Sequence, residues 1–255
     1  MIDGGTLTWN YIAFFFAVGF LAQIVDGALG MAYKVTTSAV LLGLGLPPAV
    51  VSGSVHAASS FTSFASGLAH WHLGNVDRKL MLRLLVPGAI GGACGAFLLS
   101  SIPGALLKPW ISAYLMGLGG YILWRAMQGP RKSVAGVPRG VVPLGFAGGL
   151  CDAVGGGGWG PIVTTTLVGN GVSPRFAIGS ANAAECFVTI TIAGTLLATV
   201  GLSMWPIIAA LVAGGLVAAP LAALATKHLD EKILMIALGL VILLISGRTL
   251  VLAFL

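Results

Sequence analysis

GFAGGLCDAVGGGGWGP, residues 145–161, is the stretch of sequence that decides the fold. It begins as an apolar segment with one acidic residue, Asp152, and ends in a glycine run followed by Pro161. Glycine frees the backbone and proline removes a hydrogen-bond donor, so a regular helix is expected to stop here. Unpaired backbone at membrane depth is tolerated where protein buries it or where it lines a wet cavity. We therefore predict a helix that is interrupted inside the membrane.

The composition of the chain places it in a lipid bilayer. Of its 255 residues, 57% are hydrophobic and only 8% are charged, whereas a soluble domain carries about 25% charged residues. The net charge of +6 comes from basic residues in short gaps between apolar runs, which indicates membrane topology rather than a nucleic-acid partner. We expect the lipid bilayer to be a partner and nucleic acid not to be one.

The apolar runs predict the membrane-crossing helices. A bilayer core of about 30 Å needs about 20 apolar residues of helix. Seven runs have roughly this length: 11–29, 50–69, 80–101, 104–124, 176–199, 204–225 and 233–254. Segment 141–156 is shorter, and segments 35–46 and 161–172 are too short to cross as straight helices. The stretches 11–46 and 141–172 are therefore each predicted to form a broken helix or a re-entrant hairpin, and the sequence leaves both forms open.

The chain also matches itself at an offset of 126 residues. Residues 19–58 align without a gap with residues 145–184. Matches of glycine and alanine are expected by chance in so glycine-rich a chain, but paired acidic and proline residues are harder to dismiss. Such pairs are Asp26/Asp152 and Pro48/Pro174. The alignment predicts two copies of one architecture.

These copies predict an all-α polytopic membrane protein with one membrane domain. The repeats are residues 1–126 and 127–255, each a broken or re-entrant helix followed by three transmembrane helices. Their relative orientation follows from the distribution of basic residues. An inverted arrangement puts Arg175, Lys227 and Lys232 in the cytoplasm, whereas a parallel one with single crossings puts them outside. Inversion is the prediction.

Ionisable residues lie inside the apolar sequence. A charge at the bilayer centre costs about 2.5–3.5 kcal/mol even on a lenient scale, so such residues are expected to pair, to face a cavity or to function. Asp26, Asp152 and Glu185 are predicted to bind a coupling ion or proton. For the two aspartates, capping the short helix that follows is an equal alternative. Lys34 is a candidate contact for an anionic substrate, and an ion pair with Asp26 is the preferred alternative.

Two further polar side chains occupy equivalent positions in the halves. His56 aligns with Asn182, and each lies on a helix with polar residues at spacings of three and four, which share one face. Interhelical hydrogen bonding is the simpler explanation. Because the polar faces follow both breaks, we predict that His56 and Asn182 line a substrate pathway.

The glycine run is itself a candidate anion site. Helix N-termini present free N–H groups and a partial positive charge, and small residues allow an oxyanion to approach the backbone. This hypothesis assigns substrate binding to Gly155, Gly156, Gly157 and Gly158, with Thr164 as a hydroxyl donor. The alternative is that these glycines only permit close helix packing.

Catalytic and metal-binding patterns are weak in this sequence. The three cysteines lie in apolar runs without ligand spacing such as CxxC, and no nucleophile–base pair or P-loop is evident. We therefore expect no enzyme activity, no cofactor and no metal. A metal transporter or an intramembrane enzyme that uses Cys151 and Cys186 beside Asp152 and Glu185 is the weaker alternative.

Taken together, three features resemble the TauE/SafE sulfite exporter family of membrane permeases. They are the glycine-rich stretch 145–161, the stretch Gly67-Leu68-Ala69-His70 followed by Gly74-Asn75-Val76-Asp77, and the doubled unit itself. The chain departs from the family pattern in its first half, where Met31-Ala32-Tyr33-Lys34 replaces a second glycine-rich run. That departure makes the expected site asymmetric.

The resemblance implies a multi-pass carrier of the bacterial inner membrane. Its expected substrate is a small, sulfur-containing or organic anion such as sulfite or a sulfonate. From the residues alone we predict a secondary transporter, with proton coupling through Asp26, Asp152 or Glu185. A passive anion channel stays open as an alternative, and so does assembly as a homodimer.

Overall fold

A computed structural model describes residues 9–29, 31–128, 139–201, 204–225 and 231–252. All regular secondary structure in these ranges is helical, as the sequence predicts. The elements are α1 (Trp9–Leu29), α2 (Tyr33–Gly43), α3 (Pro48–His72), α4 (Arg78–Ser101), α5 (Gly104–Ala126), α6 (Val141–Gly155), a π-helix (Trp159–Thr164), α7 (Thr165–Gly169), α8 (Pro174–Thr199), α9 (Trp205–Ala225) and α10 (Glu231–Leu252).

Four of the described helices are long and apolar enough to cross a membrane, namely α1, α4, α8 and α10. Helix α3 has 25 residues and is long enough to cross a membrane, but its serine, threonine and histidine residues lower its mean hydropathy. Their side chains are largely buried, so this helix need not be apolar on every face. The architecture is that of a multi-pass membrane protein.

The break predicted in the second half is confirmed. Helix α6 ends at Gly155, and Gly156 follows with φ +66°, a left-handed conformation that favours glycine. The chain resumes as a π-helix at Trp159, which passes directly into α7. In the first half α1 ends at Leu29 and α2 begins at Tyr33. Gly30 lies outside the described residues.

Helices of the first half pack against helices of the second half. Helix α1 packs against α9, and α6 packs against α4, while α3 packs against α8 and α5 against α10. In the α1–α9 pair and the α6–α4 pair, equivalent glycines allow the two helix backbones to approach each other closely. A Cβ on Gly19 would lie 2.9 Å from Leu211 Cα, and a Cβ on Gly145 would lie 3.2 Å from Leu84 Cα. Small residues serve this purpose at membrane helix interfaces.

Three long helices follow each break, α3–α5 in the first half and α8–α10 in the second. The two breaks also meet each other in space. A Cβ on Gly157 would lie only 2.7 Å from the backbone nitrogen of Val35, the third residue of α2. Inversion of the halves relative to the membrane stays a prediction.

Candidate functional site

The first component of the site is a pair of equivalent carboxylate caps. Asp26 Oδ1 accepts hydrogen bonds from the backbone N–H groups of Ala32 and Tyr33, at 2.7 and 3.0 Å. In the second half, Asp152 Oδ1 accepts them from Gly158 and Trp159 at the same two distances. Each aspartate therefore holds the start of the helix after its own break, as the capping alternative predicted. An ion-coupling role for Asp26 stays a prediction.

Lys34 joins the two halves. Its ammonium group pairs with Asp152 Oδ2 and lies 2.6 Å from Glu185 Oε1. The preferred pairing with Asp26 is therefore wrong. Asp26 already receives two backbone N–H groups, and Lys34 extends across to α6 and α8. The side chain of Lys34 is 7% exposed and that of Asp152 is fully buried, so this is an ion-pair network in a low-dielectric environment.

His56 is the second basic member of the network. Its Nε2 lies 3.2 Å from Asp152 Oδ2, and its Nδ1 lies 2.8 Å from the carbonyl oxygen of Ser52. The hydroxyl of Ser52 also lies near Nδ1, but it donates to the carbonyl of Ala153 at 2.6 Å. Both ring nitrogens thus face groups that only accept. The imidazolium form of His56 satisfies both contacts.

The network contains Lys34, His56 and the carboxylates of Asp152 and Glu185. The pairing of Lys34 with these carboxylates matters because an uncompensated charge in a buried position costs several kcal/mol. The residues come from α2 and α3 in the first half and from α6 and α8 in the second. The halves are therefore held together at this point by opposite charges.

The glycine run packs tightly against its surroundings. The carbonyl of Gly156 accepts a hydrogen bond from Ser38, and that of Gly157 accepts one from the Tyr114 hydroxyl at 3.2 Å. A Cβ on Gly155 or on Gly158 would collide with the Tyr114 side chain. This close packing is the alternative that the sequence left open.

Two backbone N–H groups at the glycine run are engaged in this conformation. Those of Gly158 and Trp159 donate to Asp152, so neither is free to bind an anion. The reason is the capping carboxylate, which is itself an anion at the start of the helix. Direct substrate binding by Gly155, Gly156, Gly157 and Gly158 stays a prediction.

Two predicted residues lie apart from the ion-pair network. Asn182 Nδ2 donates to Ser66 Oγ at 2.9 Å, which is the interhelical hydrogen bond of the simpler explanation. Thr164 lies in the π-helix, where its hydroxyl is buried without a hydrogen-bond partner in the described part of the chain. Neither residue lines the cavity described next. Their roles in substrate binding stay predictions.

A small cavity lies beside Lys34 and Glu185. Its wall includes both breaks and the polar face of α3. The lining includes Asp26, Lys34, Ser59, Ser63, Pro161 and Glu185. Ser59 and Ser63 of the polar face of α3 line this space, whereas His56 on the same face does not. The cavity combines one ammonium group and two carboxyl groups with hydroxyls and apolar surface, which suits a small polar ligand.

Tyr114 is the contact that sequence reasoning missed. It lies in α5, and its hydroxyl reaches the glycine break of the other half. A hydroxyl in an otherwise apolar run was the available indication, but nothing in the sequence shows which break it meets. Among the described residues, no group of three or more His, Cys, Asp and Glu is arranged to hold a metal ion. The metal-transporter alternative gains no support from them.

Comparison with known proteins identifies the family. The family model described as sulfite exporter TauE/SafE matches residues 15–249, nearly the whole chain. The chain belongs to the TauE/SafE family. This TauE/SafE protein is 40% identical over 242 residues to the probable membrane transporter protein YtnM of Bacillus subtilis (strain 168), covering 92% of this chain and 81% of the relative.

Two further relatives are similar to this chain over somewhat less than half of their own length. The TauE/SafE chain is 29% identical over 115 residues to the probable membrane transporter protein ORF9 of a Sinorhizobium species, covering 45% of this chain and 44% of the relative. It is 26% identical over 120 residues to a probable membrane transporter protein of Haemophilus influenzae, covering 47% of each chain. No solved structure matches. The TauE/SafE protein is a multi-pass membrane transporter.

Proposed function

We propose that this TauE/SafE protein is a secondary transporter for a small, sulfur-containing anion such as sulfite or an organosulfonate. Transport would cross the cytoplasmic membrane and be coupled to protons. The observation that carries the proposal is Lys34, an ammonium group buried beside a cavity where two broken helices meet. Broken helices at the interface between two halves are a recurring substrate site in secondary transporters.

Lys34 supplies the attraction for an anion. In a low-dielectric site, one ammonium group attracts an anion far more strongly than it would in water. The hydroxyls of Ser59 and Ser63 line the same cavity and are potential hydrogen-bond donors to oxygen atoms of the substrate.

The sulfur-containing class of substrate rests on the family. The matching family is described as sulfite exporters, and the three relatives are named as probable membrane transporters without a stated substrate. The oxygen atoms of sulfite and of a sulfonate can accept hydrogen bonds from the ammonium group of Lys34 and from the hydroxyls of a cavity that Asp26 and Glu185 also line. Residues from both halves form the ion-pair network, so movement of one half against the other would expose the site to alternate sides.

Flux measurements in proteoliposomes test this function. Purified protein is reconstituted, and uptake of labelled sulfite and of small sulfonates is followed with and without an imposed pH gradient, against protein-free liposomes. We expect saturable flux that the gradient accelerates. Non-saturating conductance would point to the channel alternative, and absence of flux for every small oxyanion would refute transport of this class.

A further inference from the structure

The two carboxylates around Lys34 are held very differently. Asp152 accepts four hydrogen bonds or ion pairs, two at Oδ1 from backbone N–H groups and two at Oδ2 from Lys34 and His56. Within the described ranges, Glu185 bonds only to Lys34, at 2.6 Å. Glu185 lines the cavity and Asp152 does not. An anion that enters the cavity therefore meets Lys34 and Glu185 together.

We propose that Glu185 is the counter-ion that the substrate anion displaces from Lys34, and that Glu185 takes up the coupling proton when the anion binds. This inference rests on the proposed function and specifies how its site works. In the empty site the Glu185 carboxylate is the partner of the ammonium group. With substrate bound, the anion becomes that partner. A proton from solution converts the Glu185 carboxylate to a carboxylic acid, while Lys34 keeps its positive charge.

Charge balance is the physical reason for the proton. Among the described residues that line the cavity, Lys34 is the one cation, and the carboxyl groups of Asp26 and Glu185 line it too, so an added monoanion brings one more negative charge in excess. A buried excess charge is costly, and like charges around one cation oppose each other. Protonation of Glu185 removes the excess and turns an acceptor into a hydroxyl donor for the substrate. One proton compensates the charge that a monoanion such as bisulfite or a sulfonate adds, whereas a dianion adds two charges.

Asp152 and Asp26 are less suited to carry the proton. Protonating Asp152 would weaken two charged contacts and the cap of the π-helix. Asp26 caps α2 through two backbone N–H groups and has no ion pair with Lys34 or another described residue. Glu185 can change its charge without releasing any backbone contact.

The charged surroundings of Glu185 are few. Lys34 comes from α2, Asp152 from α6, His56 from α3 and Asp26 from α1, and Cys186 is its neighbour on α8. Helix α4 also packs on α8, but its basic residues are exposed at its N-terminal end. They are Arg78, Lys79 and Arg83. The π-helix and α7 contain no ionisable residue. The titration of Glu185 therefore depends on its burial, on these charged groups and on the bound anion.

Proton counting during sulfite binding tests the inference. Binding to purified full-length protein is measured by calorimetry at one pH in two buffers with different ionisation enthalpies, for wild type, Glu185→Gln and Asp77→Asn. Asp77 is the matched control, since it caps α4 outside the site and asparagine caps equally well. Protonation of sulfite itself contributes equally to all three proteins.

We expect wild type and Asp77→Asn to take up one proton more than Glu185→Gln. Their affinity for sulfite should accordingly fall about tenfold more per pH unit as pH rises. Equal proton uptake by wild type and Glu185→Gln would overturn the inference while leaving the proposed function intact. Failure of wild type to bind or transport any small oxyanion would instead refute the proposed function, and this inference with it.

A second variant, Glu185→Asp, keeps the inference testable if Glu185→Gln misfolds. Glu185→Asp keeps a carboxyl group but places it farther from Lys34, because the aspartate side chain is shorter by one methylene. If Glu185→Gln is not monodisperse, Glu185→Asp is compared with wild type. It should bind sulfite more tightly at high pH, because the competing carboxylate is farther from the ammonium group. Unchanged or weaker binding would contradict the displacement step.

Discussion

Asp26 and Asp152 make the same pair of backbone hydrogen bonds in the two halves of the chain. Each accepts from the residues six and seven positions later, at 2.7 and 3.0 Å. The equivalence ends at the second carboxylate oxygen. Asp152 Oδ2 contacts Lys34 and His56, whereas Asp26 has no such ion pair among the described residues. Both aspartates therefore cap a helix, but among the described residues only Asp152, in the second half, also belongs to an ion-pair network.

Removing the cap in the first half should destabilise the protein. Asp26→Ala leaves the N–H groups of Ala32 and Tyr33 without their acceptor, at a cost of about 0.5–2 kcal/mol. Asp26→Asn keeps an acceptor and is the matched control. We expect a lower unfolding temperature in detergent for the alanine variant and a small change for asparagine. Equal stability of Asp26→Ala and wild type would show that the cap contributes nothing.

Removing the cation at the centre of the network should be more costly. Lys34→Met leaves the carboxylates of Asp152 and Glu185 without their shared partner, and breaking a buried ion pair in this way costs about 3–5 kcal/mol. Adding Glu185→Gln to Lys34→Met should restore part of the lost stability, because one uncompensated charge is removed. Thermal unfolding of the two variants checks this. A double variant no more stable than Lys34→Met would contradict the pairing.

The contact between the breaks predicts a steric effect at Gly157. A Cβ there would lie 2.7 Å from the nitrogen of Val35 and 2.9 Å from its Cα, so Gly157→Ala should cost about 1–3 kcal/mol through overpacking. Gly117 in α5 has nothing within 4 Å of its Cβ position, and Gly117→Ala should change stability by less than about 1 kcal/mol. Unfolding temperatures that fall equally in both variants would refute the close contact.

The sequence predicts the breaks because the cause is local. The glycine run and Pro161 end a helix wherever they lie, and the offset between Asp26 and Asp152 pairs the two caps. The partner of Lys34 is different, because ion pairs depend on tertiary distance. Asp26 is near in sequence, but Asp152 and Glu185 are near in space. The hydrogen bond between Asn182 and Ser66, and the contact of Tyr114 with Gly157, depend likewise on how the halves pack.

The most direct test of the Lys34 anion site is sulfite flux through Lys34→Met. This variant and Lys79→Met, which removes an exposed lysine of α4, are reconstituted in equal amounts beside wild type. The account predicts saturable sulfite flux for wild type and Lys79→Met, and flux near the protein-free background for Lys34→Met. If Lys34→Met transports sulfite as rapidly as Lys79→Met, with the same saturation, the anion does not bind at Lys34.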